Sequence, residues 1–162
     1  MEIGEKNRVK VRWARLSVVS NAVLVAFKLA VGIAGGSVSI VAEAVHSAND
    51  LVAALIAFGA VRKASLPPDE DHGFGHGKYE NLSGLIESAL IVAAGGLIVW
   101  QALDRIRHPG PIALLDLGIC VMLVSAAVNY FVSRKLMQVA RETDSVAIET
   151  DGAHLLVDVY TS

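Results

Sequence analysis

Two pairs of residues could do chemistry together: His46 with Asp50, and His154 with Asp158, each a histidine followed four positions later by an aspartate. On a helix that spacing stacks both side chains on one face. Both pairs sit in mostly apolar stretches, SVSIVAEAVHSANDLVAALIAFGAV and SVAIETDGAHLLVDVYTS, where an aspartate at mid-bilayer costs roughly 2.5 to 3.5 kcal/mol. One such pair alone reads as a buried hydrogen-bonded couple. Two at equal spacing in separate apolar helices point to a shared purpose, because chance seldom repeats an expensive arrangement. Together they offer two imidazole nitrogens and two carboxylate oxygens, a tetrahedral, borderline-hard donor set suited to Zn²⁺. Imidazole binds metal only when neutral and carboxylate only when ionised, so loading metal expels protons and acid expels metal.

A second set of donors, Asp69, His72 and His76, lies in the segment ASLPPDEDHGFGHGKYE. Pro67, Pro68, Gly73, Gly75 and Gly77 exclude a continued helix there. The segment reads either as a solvated turn or as a loop whose glycines let the backbone fold its ligands around one ion. Glu70 and Asp71 raise the local negative potential, which attracts divalent cations without ligating them. An intramembrane metalloenzyme is disfavoured, since no His-Glu-x-x-His occurs and four protein ligands would fill a tetrahedral zinc. No enzymatic activity and no nucleic-acid partner are expected; a non-transporting metal-binding or scaffold fragment is the alternative to a carrier.

The elements that position these residues follow from composition. The chain is 54% hydrophobic with mean hydropathy +0.53, and its charge is crowded into short segments. This predicts an all-α, polytopic membrane helix bundle in a lipid bilayer. Residues 1–15 form a basic tail, and residues 16–162 a transmembrane domain. Spans are expected at Leu16–Gly36, Ser37–Val61, about Tyr79–Leu103 and about Ile112–Val132, with the start of a fifth after Ser145. Gly35 and Gly36 make the first two an antiparallel hairpin, and LMQVARETDS reads as an exposed helical extension of the fourth. Lys6 to Arg15, Arg62, Lys63, Lys78, Arg134, Lys135 and Arg141 fall on one side, with Arg105 and Arg107 on the other. The asymmetry places the N-terminus and the loop between the second and third spans in the cytoplasm, and the expected location is the inner or plasma membrane.

Other polar residues receive packing roles. Lys28 snorkels or pairs with Glu43, and Asn49 hydrogen-bonds a neighbouring helix. Lys78 and Glu80 anchor the third helix, and Glu87, Asp116 and Asn129 line the bundle without an assignable role. Gly95 and Gly96 permit close helix packing, and Cys120 is a small packing residue.

Three stretches, GGSVSIVAEAVHSANDLVAALI, PPDEDHGFGHGKYENLSGLIES and SVAIETDGAHLLVDVYTS, resemble the cation diffusion facilitator family of zinc transporters. The resemblance implies a transport site at His46, Asp50, His154 and Asp158. A histidine at the first position implies a preference for zinc. Asp69, His72 and His76 correspond to a zinc site at the cytoplasmic membrane surface. It further implies efflux of the metal against protons, a homodimer, and six helices followed by a cytoplasmic domain; this sequence stops within helix five.

Overall fold

The computed structural model describes residues 3–107 and 115–161. They form α1 (Ile3–Ala34), α2 (Val38–Ala64), α3 (Lys78–Arg107), α4 (Leu115–Thr143) and α5 (Val146–Thr161), with no strand among the described residues. The first four are long and apolar enough to cross a membrane. Val19, Val23, Leu85, Val92, Trp100, Leu123 and Phe131 are exposed on their outer faces, as a bilayer solvent requires and water would penalise. The all-α polytopic bundle expected from the sequence is the fold observed.

Two tight hairpins build it. At the first, the Ser37 N–H donates to Gly32 O and the Gly36 N–H to Ile33 O, with Gly36 at φ 61°. This pattern closes a helix C-terminus with a left-handed residue, which glycine adopts without strain. Ser37 Oγ then caps α2 by accepting from the Ile40 N–H. Gly32 lets α2 close on α1, since a Cβ there would stand 2.9 Å from Val41 Cγ2. The second hairpin uses the same pattern between α4 and α5: the Ser145 N–H donates to Ala140 O across Asp144 at φ 54°. Ser133 Oγ donates to the Gly152 carbonyl at 2.6 Å, binding α5 along α4.

The extension after Val132 is not simply exposed. Leu136, Val139 and Ala140 join Ala14, Val61, Ala147, Ile148 and Leu155 in the main hydrophobic cluster. Their three-and-four spacing gives α4 an apolar face that α5 covers. The basic N-terminal residues are helical and continuous with the first span. Lys6 pairs with Asp144 at 3.2 Å and Lys10 with Glu80 at 2.6 Å. Glu80, also accepting from Ser145 Oγ, is thus buried between α1, α3 and the α4–α5 turn rather than anchoring α3 at a wet interface.

Three smaller expectations differ. No neighbour approaches within 4 Å of a Cβ built on Gly95 or Gly96, Cys120 is exposed, and Asn49 is exposed. The two glycines border open space, whereas Asn49 borders the cavity between α2 and α3 that His46 and Asp50 also line; apolar runs without polar partners do not encode such distinctions. The connection 108–114, with the expected start of the fourth span, and the Asp116 side chain lie outside the described residues.

Candidate metal centre

α2 and α5 bring the two sequence pairs together. One donor atom each from His46, Asp50 and Asp158 lies within 4.8 Å of the others. His154 Nε2 stands 3.2 Å from Asp50 Oδ1 and 3.9 Å from Asp158 Oδ2. A tetrahedral zinc with bonds of ~2.0–2.1 Å has donor–donor edges of roughly 3.3 Å; His46, Asp50 and Asp158 form one compact trio, and His154 adjoins it through Asp50 and Asp158, so the side chains must draw together for all four to hold one ion. Asp50, His154 and Asp158 are buried or nearly so, and His154 Nδ1 has no hydrogen-bond partner.

The surroundings are unequal at the two ends. Toward the α1–α2 turn a cavity of about 450 Å³ is lined by Lys28, Ser39, Glu43, His46, Asp50 and Asp158. Ser39 to Asp50 spans roughly 16 Å of α2. On the other side of Asp50, α2 continues through Ala53, Ala54, Ala57 and Val61, all 0% exposed. A second cavity of about 430 Å³, between α2 and α3, reaches His46, Asp50 and His154 from the side of Val52 and Leu90, so the cluster borders open space both toward the hairpin turn and toward α3. At the cavity wall Lys28 Nζ donates to Glu43 Oε1 at 2.9 Å and to Ser47 Oγ at 2.7 Å. The Lys28–Glu43 pairing expected from the sequence is present, and Ser47 adds a partner that its type alone did not announce.

Asp69, His72 and His76 also meet, in the α2–α3 loop. The His72 backbone N–H donates to Asp69 Oδ1 at 2.7 Å, and His72 Nδ1 lies 3.0 Å from the same oxygen. His76 Nε2 lies 3.1 Å from Asp69 Oδ2 without completing a hydrogen bond, although His76 is only 2% exposed. Gly75, at φ 82°, supplies the left-handed residue that turns the chain between the two histidines. Asp69 loses some hydration in the loop, which opposes its charge. The hydrogen bonds from His72 and the nearby His76 outweigh this and hold its carboxyl below the ordinary range. Two nitrogens and an oxygen leave a fourth position for water. Glu70 and Asp71 are exposed beside the trio.

One functional candidate is absent from the sequence reading. Asp151 is 1% exposed and acts electrostatically on His154; its Asp-x-x-His spacing, one turn before His154, was the available sign.

The sequence pattern of the cation efflux transmembrane domain matches residues 14–162. The chain belongs to the cation efflux family. An uncharacterized transporter of Synechocystis is 33% identical over 150 residues, covering 93% of this chain and 48% of the relative. The cation-efflux pump FieF of Shewanella oneidensis is 31% identical over 147 residues, 91% of this chain and 50% of the relative. Metal tolerance protein C1 of Arabidopsis thaliana is 40% identical over 90 residues, 56% of this chain and 19% of the relative. The chain thus spans about half the length of the first two relatives, and as a cation efflux family member with four candidate spans it is a multi-pass membrane protein.

Proposed function

We propose that the chain is the membrane part of a divalent-cation efflux carrier, with zinc as cargo and protons as the counter-ion. One observation carries the reading: His46, Asp50, His154 and Asp158 converge inside the bundle from two helices, beside cavities that reach the donors. A binding site near the middle of a bundle is the arrangement alternating access uses. Two nitrogens and two oxygens favour zinc among the divalent ions. Protonation of the same groups competes with metal, which couples the two fluxes in opposite directions. The name of the cation-efflux pump relative agrees with it in direction and cargo class, and that of the metal tolerance relative in concerning metals.

In this reading the N-terminus and the α2–α3 loop face the cytoplasm, and the cavity toward the hairpin turn opens outward. Asp69, His72 and His76 hold zinc at the inner surface, and the working unit is a homodimer. The protein does no covalent chemistry. Zinc flux into sealed vesicles tests the reading. Asp50→Ala and His154→Ala should each abolish flux while leaving membrane insertion intact, and normal flux in either variant overturns the site. Zinc binding without flux in the unaltered chain would make it a metal-binding membrane subunit instead. Replacing His46 by Asp exchanges a borderline nitrogen for a hard oxygen, which should relax selectivity for Zn²⁺ over Cd²⁺ in competition uptake.

A further inference from the structure

Between the loop trio and the buried cluster stands a pair of carboxylates that neither uses. Glu87 of α3 and Asp151 of α5 are 0% and 1% exposed. They are close enough to repel one another, and none of their four oxygens completes a hydrogen bond of ordinary geometry, though the Ser83 and Thr150 hydroxyls are near enough to Glu87, and Ser17 to Asp151, to favour their charge. Ser17 Oγ of α1, also fully buried, lies beside Asp151 and has no other partner. The Ser83 and Thr150 hydroxyls flank Glu87. Both donate to carbonyls of their own helices, Ser83 to Glu80 O and Thr150 to Val146 O and Ala147 O, so their lone pairs stay available. Gly84 brings the two helices this close: a Cβ there would stand 2.9 Å from Val146 Cγ1 and 3.5 Å from Thr150 Cγ2.

The protein does not balance this charge. Taking one carboxylate out of water without a partner costs several kcal/mol, and two that repel cost more. Among the described residues no lysine or arginine forms an ion pair with either. Lys10 is engaged by Glu80, two turns nearer the loop on α3, and Lys28 by Glu43 near the far end of the cavity. On α5, His154 is the group that attracts both carboxylates, but its Nε2 is already held by Asp50. α1 contributes the neutral Ser17, and on α4 Ser133 is spent on the Gly152 carbonyl. What converges is a set of oxygens only, hard in character and lacking the imidazole that favours zinc.

We propose that Glu87 and Asp151, with the hydroxyls of Ser17, Ser83 and Thr150, form a second cation-binding site that holds one proton or one small hard metal ion. Asp151 precedes His154 by three residues, roughly 4.5 Å along α5, so the site lies immediately on the loop side of the His46, Asp50, His154 and Asp158 cluster. It occupies the half of the bundle between loop and cluster, where Ser83 also borders a cavity between α2 and α3 and where an ion moving between the two would pass apolar side chains. Binding stands on the geometry of the pair itself; a role in transit rests on the efflux reading.

The chain reconstituted in lipid, with His46, Asp50, His72 and His154 all changed to Ala, tests this free of the other donor sets. Mn²⁺, a hard ion whose free form is counted by electron paramagnetic resonance, probes the metal arm. Carboxylic acid C=O absorption in metal-free buffer probes the proton arm. The expected result is either a bound Mn²⁺ that Glu87→Gln or Asp151→Asn removes, or a protonated-carboxyl band that the same substitutions remove. Both changes keep volume and delete only charge, and Glu87→Asp, which keeps the carboxyl, should retain the signal with altered strength or position. If neither signal responds to Glu87 or Asp151, the site is overturned. Failure of the efflux reading shows separately, as loss of Zn²⁺ flux or binding in the protein with both carboxylates intact.

Discussion

His154 Nε2 on α5 lies 3.2 Å from Asp50 Oδ1 on α2, a contact that joins the two halves of the candidate metal centre across 104 positions of sequence. Metal entering the cluster must replace that hydrogen bond with two coordinate bonds. Asp50→Ala removes a donor and frees the imidazole at once, so Zn²⁺ affinity measured by calorimetry should fall by more than ~100-fold, beyond the 10- to 100-fold typical of groups that only orient a ligand. The metal-free bundle should also lose roughly 1.5–3 kcal/mol of stability, the worth of a hydrogen bond to a charged group. Affinity within threefold of the unaltered chain would remove Asp50 from the site.

Lys28 is a buried cation that shares the cavity with the acidic donors and acts electrostatically on Asp158. It should therefore oppose metal loading. Lys28→Met is expected to tighten Zn²⁺ binding by about 3- to 10-fold, the equivalent of ~1 kcal/mol of repulsion removed. It should lower stability at the same time, because Glu43 loses its partner. That cost should stay below the ~3–5 kcal/mol of a fully buried broken pair, since Glu43 keeps a quarter of its side chain exposed. The double change Lys28→Met with Glu43→Gln should recover stability while keeping the tighter binding. Unchanged affinity in both variants would mean that the ammonium does not sense the site.

The spans and the candidate donor pairs were legible because both depend on local sequence. A run of apolar residues is long enough or it is not, and a four-residue spacing places His46 over Asp50 whatever else the chain does. What pairs across elements was less so. The burial of Leu136 and Val139 required knowing that α5 folds back on α4, which Asp144 in a left-handed conformation decides. Glycine would have announced that turn; aspartate did not. Glu80 read as an anchor for one helix, whereas its two partners, Lys10 and Ser145, lie 70 and 65 residues away. Gly95 and Gly96 looked like a packing motif and Gly84 did not, yet only Gly84 sits against another helix.

That last contrast can be measured. Gly84→Leu should push α5 from α3 and cost ~1–3 kcal/mol, as overpacking of a filled interface does. Gly96→Leu, placed in open space, should be neutral or stabilising through its better helix propensity, by up to ~1 kcal/mol. Thermal unfolding in lipid or detergent compares the two. Equal effects would mean that the α3–α5 contact is not as close in the membrane as the backbone separation indicates.

The loop trio should respond to acid in a particular direction. Asp69 has half of its side-chain surface exposed, yet the hydrogen bonds from His72, with His76 nearby, hold its carboxyl below the ordinary value of 3.8. A group whose folded value is depressed contributes stability that is complete above its unfolded value and is lost as pH falls through the folded one. The turn made by the His72 N–H and Asp69 Oδ1 should therefore persist on acidification through pH 3.8 and open only below it. Hydrogen exchange at the His72 amide, corrected for the intrinsic rate at each pH, reads this directly. Asp69→Asn keeps an acceptor but cannot titrate, so its protection should be weaker and flat across the same range. It should also lose Zn²⁺ at the loop, because an amide oxygen replaces the only anionic donor that contacts both histidines. Protection that disappears above pH 3.8, or an Asp69→Asn loop that still titrates there, would show that another group holds the turn.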